Sequence, residues 1–146
     1  MAAEYFHRIT EAERRFLTRV RVGRLATTDA SGQPHVVPIV FAIDGHKLYT
    51  PIDEKPKRVL PSQLKRVRNL LANPQIAIVV DEYDEDWTRL AWVLVTGRAE
   101  LVETGEVHAT GVRLLQDKYP QYKAMPLVSR PLIVVTPIGT TSWGAL

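Results

Sequence analysis

Apolar residues first recur at helical spacing and then alternate with polar residues in short runs along much of the chain. One face of the first predicted helix carries Ala12, Phe16, Leu17 and Val20. Thr10 followed by Glu13 is typical of a capping box, in which each side chain accepts a hydrogen bond from the other residue's backbone N–H. We therefore predict a helix of about three turns, and we expect it to cover one end of the β-structure that follows.

Three runs of β-type alternation predict strands at residues 22–28, 34–43 and 46–52. Asp44-Gly45 lies between the second and third runs and predicts a tight hairpin in which both central residues adopt positive φ. Pro34 and Pro38 fall within the second run. Because proline cannot donate to a β-ladder, part of that strand should be an edge or a bulge.

The second half of the chain continues the same pattern with two more helices. Ser62 can cap a helix that buries Leu64, Val67, Leu70 and Leu71 and ends at Asn73-Pro74. We predict further strands at 76–80, 90–102 and 132–136, a bulge at Gly97, and a helix at 104–119. The order α-β-β-β-α-β-β-α-β predicts a mainly β, closed antiparallel barrel with flanking helices. Residues 1–146 contain no repeat or linker, so we predict a single domain.

Composition narrows the classes of function. The chain has no cysteine, which excludes disulfides and thiolate chemistry. Nineteen basic against 16 acidic side chains give a net charge of only +3, which does not indicate a nucleic-acid partner. Residues 1–21 are too charged for a signal peptide, and no segment is apolar enough to span a bilayer. We expect a cytoplasmic protein without a membrane partner.

The positive charge is concentrated in one segment. Six cationic side chains fall within residues 55–68, namely Lys55, Lys57, Arg58, Lys65, Arg66 and Arg68. Lys65 and Arg66 belong to the first turns of a predicted helix, whose free N–H groups add partial positive charge. Such a cluster suits the phosphate of a small molecule. An exposed basic helix face explains the pattern equally well.

Two further features are candidates for binding a planar ring. Thr50-Pro51-Ile52 ends a strand just before the basic segment, so its backbone could meet the polar edge of a ring while Pro51 and Ile52 supply an apolar wall. Taken alone, a strand that ends in a turn is the simpler interpretation. Trp92 is expected in the core. Trp87 and Trp143 are as consistent with a ring pocket or dimer contact as with plain packing.

No motif supplies a reacting group. The four histidines, His7, His35, His46 and His108, lack metal-ligand spacing. Glycine-rich phosphate loops, the G-x-S-x-G motif and any nucleophile–base pair are also missing from the sequence. No catalytic residue is therefore assigned, and if the protein is an enzyme a bound cofactor should carry the chemistry.

Several stretches resemble the pyridoxamine 5′-phosphate oxidase-like split-barrel superfamily over nearly the whole chain. Residues 23–28 (GRLATT) and 32–38 (GQPHVVP) are similar to its opening hairpin. Residues 48–57 (LYTPIDEKPK) and 64–70 (LKRVRNL) are similar to its strand followed by a phosphate-binding helix. The resemblance implies an antiparallel split β-barrel of the FMN-binding type with three to four peripheral helices.

Residues 86–92 (DWTRLAW) and 97–99 (GRA) resemble the deazaflavin-dependent branch of that superfamily, the B class common in actinobacteria. The resemblance implies a homodimer with two cofactor sites at the subunit interface. By analogy, Lys65 and Arg66 would hold the cofactor phosphate, and Lys55 and Lys57 would lie near the phosphate or the acidic tail of the deazaflavin. Those bordering the ring are Thr50, Pro51, Ile52, Val37 and Pro38, and those contributed by the partner subunit are Trp87, Arg89 and Trp143.

Three functions are compatible with this resemblance. The first is a coenzyme F420-dependent oxidoreductase that passes a hydride between the reduced deazaflavin and an electron-poor organic acceptor. The second is an FMN-dependent oxidase or reductase, and the third is a protein that stores or senses a flavin without turnover. The extra lysines favour F420, whose polyglutamate tail adds carboxylates. The C-terminal region lacks the substrate-phosphate residues of the pyridoxamine phosphate oxidases, so vitamin B6 oxidation is not expected.

Overall fold

The computed structural model describes residues 8–52 and 64–146. Within these residues the helices are α1 (Glu11–Arg19), α2 (Lys65–Ala72) and α3 (Glu106–Lys118). The strands are β1 (Gly23–Thr28), β2 (Pro34–Ile39), β3 (Ala42–Ile43), β4 (Leu48–Pro51), β5 (Gln75–Glu82), β6 (Ala91–Val102) and β7 (Leu132–Gly144). Short 3₁₀ turns occur at Trp87–Arg89, Pro120–Lys123 and Leu127–Ser129. In the part of the chain described, no helix has the length and apolar composition needed to cross a bilayer.

The seven strands form one antiparallel sheet in the order β2-β1-β5-β6-β7-β4-β3. β2 and β3 lie at opposite ends of this order, yet only Val40 and Phe41 separate them along the chain. Three Cα–Cα steps reach at most about 11 Å, so the two ends of the sheet must lie side by side. The sheet therefore curls into a half-barrel, and the mainly β, antiparallel split barrel expected from the sequence is confirmed.

We call the gap between β2 and the β3–β4 end of the sheet the seam. Among the described residues, no β-pairing joins β2 to β3 or β4 across it. The closed ladder expected from the hairpin pattern is therefore open along one line. The edge position of β2 confirms the prediction made from Pro34 and Pro38, because an edge strand tolerates a missing N–H.

The inner face of the sheet carries the main core. Alternate residues of the strands point inward, and α1 and α2 add Phe16, Leu17, Val67 and Leu70 to the same cluster. The predicted capping box at the start of α1 is confirmed, with the Thr10 N–H 2.9 Å from Glu13 Oε1 and the Glu13 N–H 3.1 Å from Thr10 Oγ1. The four core side chains of α1 and α2 make both helices part of the main core.

Glu13 also ties α1 to the far end of β7. Burial alone would raise the pKa of this carboxyl, but hydrogen bonds from Thr10, Ser142 and Thr140 lower it overall. The Thr140 hydroxyl donates to Glu13 Oε1 at 3.2 Å. The buried carboxylate is thus satisfied by donors from two elements, and it stabilises their contact.

α3 packs on the opposite face of the sheet and forms a second core with β3, β4 and β7. Gly111 makes close packing possible, because a Cβ there would lie 2.5 Å from Tyr49 Cδ1 and 2.6 Å from Leu132 Cδ1. α3 therefore covers the outer side of β4 and β7, whereas the described residues leave the outer side of β1 and β5 open.

The predicted single strand at 34–43 is wrong, because the chain leaves the sheet at Val40 and Phe41. The Tyr119 hydroxyl accepts a hydrogen bond from the Phe41 N–H at 3.2 Å and donates to the Arg21 carbonyl at 2.7 Å. The Phe41 carbonyl lies 3.0 Å from the same hydroxyl. A side chain at the end of α3 thus replaces the ladder partner of Phe41, and the strand is divided in two.

Lys118 also holds the segment around Phe41 in place. Its ammonium lies 4.0 Å from the centroid of the Phe41 ring and donates to the carbonyls of Leu17 and Val20. Burial, together with the nearby Arg21 charge, lowers the pKa of Lys118 to about 8. The group stays largely protonated at neutral pH and holds the end of α1 against the segment that crosses the seam.

The hairpin between β3 and β4 is confirmed, but its predicted turn geometry is wrong. Within the described residues, positive φ occurs only at Gly32, Gly105 and Gly144, so Gly45 is not among them. The connection has four residues, and Asp44 Oδ1 accepts hydrogen bonds from the N–H groups of His46 and Lys47. A side-chain-closed turn replaces the two-residue turn expected from Asp-Gly.

β7 extends to Gly144, eight residues beyond the predicted end at Thr136. The additional part pairs with the first half of β6, and the register shifts between Thr96 and Gly97. The predicted bulge at Gly97 is therefore confirmed, with Ile138 as the extra residue on β7. A Cβ at Gly97 would lie 2.5 Å from the Thr136 carbonyl oxygen, so the bulge requires glycine there.

Tyr119→Phe tests whether this hydroxyl holds the crossing of the seam. We expect the free energy of unfolding to fall by about 1–3 kcal/mol, because Phe41 and Arg21 lose a buried partner. Urea denaturation measures the change. Tyr83→Phe, at an exposed position, serves as the control and should cost less than about 0.5 kcal/mol. Equal effects of the two substitutions would contradict the assigned role of Tyr119.

Candidate functional site

A cavity of about 250 Å³ lies along the seam. Its walls are Val22, Pro38, Ile39, Val40, Thr50, Pro51 and Arg66. One side is the end of β2 and the other is the end of β4, so the cavity exists because the two edges approach without pairing. Five of the seven residues are apolar, and the polar side chains are Thr50 and Arg66. We call this space the seam cavity.

Arg66 lies in the first turn of α2 and is only 9% exposed. The helix is fixed to β1 by two side-chain hydrogen bonds. Asn69 Nδ2 donates to Thr27 Oγ1 at 3.0 Å, and Asn73 Nδ2 donates to Thr28 Oγ1 at 3.0 Å. These bonds set the rotation of α2 about its axis, and Arg66 consequently faces the seam cavity.

The start of α2 is unusual in its charge. Its N-cap residue, Leu64, makes no side-chain hydrogen bond, and its first turn has no acidic residue. Helix N-termini carry partial positive charge, which acidic residues normally offset. Here Lys65 and Arg66 add positive charge instead, so this end of the helix favours a bound anion.

Lys65 faces a different direction from Arg66. Its Nζ lies 3.6 Å from Asp29 Oδ2 in the β1–β2 turn. Hydrogen bonds from Ser31 and from the Gln33 N–H, together with the Lys65 charge, lower the pKa of Asp29 to about 2. Lys65 therefore has an ionised partner throughout the neutral range and is not part of the cavity wall.

The structure brings together four of the residues singled out from the sequence, namely Pro38, Thr50, Pro51 and Arg66. Val37 and Ile52 instead turn inward and pack in the main core. Lys55 and Lys57 lie outside the described residues. Three residues assigned to the ring and one assigned to the phosphate thus line one cavity, and their roles stay predictions.

The three residues expected from a partner subunit lie on the surface. Trp87 is 70% exposed, and Arg89 Nε lies 3.7 Å from Asp86 Oδ2 in the same short turn. Trp143 is 53% exposed and pairs with Trp92 across β6 and β7. None of the three lines the seam cavity of its own chain.

Val22, Ile39 and Val40 also line the cavity and were not predicted. Strand periodicity placed them within continuous strands, where they carry no special signal. Their position follows from the break at Val40, which depends on Tyr119 far along the chain.

The outer face of the sheet, opposite the main core, carries a shallow groove of about 680 Å³. It is lined by Arg24, Val79, Asp81, Trp92 and Leu94. Arg24 Nη1 and Asp81 Oδ1 form an ion pair at 2.6 Å, and the other three side chains are apolar and half-buried. We call this surface the outer face.

Comparison with known protein families matches residues 9–144 to the family described as pyridoxamine 5′-phosphate oxidase. The chain belongs to the pyridoxamine 5′-phosphate oxidase family. The match spans almost the entire sequence and includes every wall of the seam cavity. This is an oxidoreductase family.

Three proteins illustrate the relationship. A 5a,11a-dehydrotetracycline/5a,11a-dehydrooxytetracycline reductase from Streptomyces rimosus is 32% identical over 97 residues, which is 66% of each chain. A conserved hypothetical protein from Mycobacterium tuberculosis superposes with a TM-score of 0.74 at 23% identity, covering 99% of this chain and 90% of its own. An F420 reductase gives a TM-score of 0.66 at 26% identity, covering 91% and 98%.

The cavity residues fit one part of a phosphorylated ring cofactor. Arg66 at a helix start supplies donors for a phosphate, and the prolines and aliphatic side chains supply a dry wall for a ring. Cofactor sites usually measure about 300–1,000 Å³, so a cavity of about 250 Å³ is smaller than a complete site. The described residues of one chain therefore provide only part of the enclosure.

Asn69→Ala tests how α2 is held in place. We expect a loss of about 1–3 kcal/mol in the free energy of unfolding, because the buried Thr27 hydroxyl loses its partner. A double-mutant cycle with Thr27→Ala should give a coupling of at least about 0.5 kcal/mol. Arg68→Ala, on the exposed face of the same helix, is the control. Additive losses at positions 69 and 27 would rule out the anchoring role.

Proposed function

We propose that this protein is an oxidoreductase that binds a deazaflavin of the coenzyme F420 type in the seam cavity. In this proposal a hydride passes between the reduced cofactor and an electron-poor organic acceptor. The observation that carries the proposal is the meeting of Arg66, at a positively charged helix start, with the apolar wall formed by Pro38 and Pro51. Phosphate and ring recognition are thereby combined in one space.

The relatives support the same class of reaction. The Streptomyces rimosus relative is named as a reductase of dehydrogenated tetracyclines, and one structural neighbour is named as an F420 reductase. Both names describe reduction, and the second specifies the deazaflavin. Lys55 and Lys57, which precede α2 in the sequence and lie outside the described residues, would supply positive charge for the acidic tail of F420.

The bound deazaflavin would supply the hydride, so the protein's own task is positioning. Arg66 would hold the phosphate with its planar set of donors. Val22 and Ile39 would exclude water from the ring. The polar side chains of the cavity wall are Thr50 and Arg66, and the proposal assigns neither of them a proton-transfer role. Rate acceleration would therefore come from alignment.

We also propose that the active form is a homodimer assembled through the outer face. Val79, Trp92 and Leu94 form an apolar surface that the described residues leave open. Exposed apolar patches of this kind commonly mark protein interfaces. A second copy would also bring Trp87 and Trp143 toward the incomplete seam cavity, as the family resemblance implies.

Fluorescence titration of cofactor-free protein with F420 and, separately, with FMN tests the proposed function. We expect micromolar or tighter binding of F420 and weaker binding of FMN. Arg66→Ala should weaken F420 binding by about 1.5–3 kcal/mol, because a charged hydrogen bond is lost. Lys65→Ala should cost less than Arg66→Ala, since Lys65 faces Asp29.

Arg68→Ala removes the same charge from the exposed face of α2 and is the matched control. Its affinity should stay within about twofold of the parent, because exposed charges contribute little. Tighter binding of FMN would move the protein to the flavin-dependent oxidases and reductases. Cofactor binding without reduction of any acceptor would favour a storage role. If neither cofactor binds, the proposed function is wrong.

Multi-angle light scattering tests the proposed dimer. We expect twice the mass of one chain for the parent protein and a monomer for Leu94→Glu, because a charge buried in an apolar interface has no partner. Val128→Glu introduces the same charge at a position exposed on another surface and should remain dimeric. A parent protein that runs as a monomer would contradict the assembly.

A further inference from the structure

We propose that Pro38 and Pro51 make the seam cavity selective for a deazaflavin over a flavin, because they remove backbone hydrogen-bond donors from both sides of the seam. The proposal rests on the function proposed above, since it concerns the ring that would occupy this cavity. A deazaflavin and a flavin differ in one ring atom. The proposal gives two residues without a reactive group a role in discriminating between them.

The β4 side of the seam is defined by its pairing with β7. The Ile52 N–H donates to the Pro131 carbonyl at 3.2 Å, and Pro51 is opposite Leu132. Successive residues of a strand direct their N–H groups to opposite sides. Position 51 therefore directs its nitrogen away from β7, toward the seam. Proline places no hydrogen there.

The pairing with β3 leads to the same conclusion. Tyr49 is opposite Ala42, and the Asp44 N–H donates to the Lys47 carbonyl at 3.1 Å. Continuing this register would place Pro51 opposite Val40, which lines the cavity. Because the chain leaves the sheet at Val40, an N–H at position 51 would point into the seam without a ladder partner. Proline ends the ladder and leaves the cavity without that donor.

The β2 side is defined by its pairing with β1. The Asp29 N–H donates to the Gln33 carbonyl at 3.2 Å, and Pro38 is opposite Arg24 in the same register. In this register the β2 residues that bond to β1 are every second one, counted from Gln33. Pro34 and Pro38 fall between them and therefore do not bond to β1. Their nitrogens face the open edge of β2. Pro38 lines the seam cavity, so its missing N–H also faces that space.

The two ring systems differ at position 5, which the proposal places between Pro38 and Pro51. Position 5 of an oxidised flavin is a nitrogen that accepts a hydrogen bond, whereas position 5 of a deazaflavin is a C–H that does not. A buried acceptor left without a donor weakens binding on the order of tenfold to a hundredfold. With position 5 placed there and shielded from water, the two prolines would disfavour the flavin and leave the deazaflavin unaffected.

FMN and 5-deaza-FMN are the matched probes, because they differ only at position 5 of the ring. Fluorescence titration gives a Kd for each ligand with the parent protein and with Pro38→Ala and Pro51→Ala. We expect the parent to bind 5-deaza-FMN about tenfold more tightly than FMN. In at least one alanine variant the ratio of the FMN Kd to the 5-deaza-FMN Kd should fall several-fold. The fall should come from tighter FMN binding, while the Kd of 5-deaza-FMN stays nearly constant.

Pro34→Ala is the control, because Pro34 has the same orientation on β2 but lines a separate groove with Asn73 and Arg98. It should retain the parent ratio, and it matches the general effect of losing a proline on the unfolded state. Thr50→Val removes the hydroxyl on the cavity wall. A ratio near one in the parent that rises in Thr50→Val would mean that Thr50 supplies the donor, and would overturn the proposal.

The remaining outcomes separate this inference from the proposed function. If both ligands bind the parent equally, or if neither Pro38→Ala nor Pro51→Ala changes the ratio, the prolines do not select the ring and the cofactor assignment stands. If neither FMN, 5-deaza-FMN nor F420 binds, the proposed function fails and this inference fails with it. A ratio that falls in Pro38→Ala or Pro51→Ala but not in Pro34→Ala supports the assigned role.

Discussion

The link of two residues between β2 and β3 is the constraint on which the rest of the structure depends. Val40 and Phe41 must join strands at opposite ends of a seven-stranded sheet, so the sheet has to curl until its edges meet. Tyr119 satisfies Phe41 outside any ladder, and the crossing is thereby held without pairing the edges. The seam cavity is the space that remains between two edges held close but unpaired.

Charge at the seam is arranged at some cost to the folded chain. Basic residues begin α2, where an acidic residue would be more stabilising, and buried hydrogen bonds from Asn69 and Asn73 hold that end of the helix in position. A protein selected for stability alone would place a carboxylate in the first turn. The unfavourable charge is understandable if an anion binds there, because the ligand then supplies the negative charge that the first turn of α2 lacks.

Local sequence patterns predicted the features whose causes are local. The capping box at Thr10, the bulge at Gly97 and the alternation of most strands depend on neighbouring residues, and they agree with the structure. Pro38 and Arg66 were singled out by residue type and family resemblance, and both line the cavity. The break at Val40 could not be predicted, because its cause is the Tyr119 hydroxyl. The pairing of Lys65 with Asp29 likewise depends on how α2 meets a distant turn.

An incomplete cavity and an uncovered outer face have one common explanation under the proposed function. The cavity wall offers a phosphate anchor and a dry surface, but its volume is below that of a complete cofactor site. A hydride donor must be shielded from water while it is aligned with the acceptor. Because the described residues of one chain leave the ring partly open, shielding would depend on what covers it. In the proposed dimer, assembly itself would complete the active site, and catalysis would then follow the monomer–dimer equilibrium.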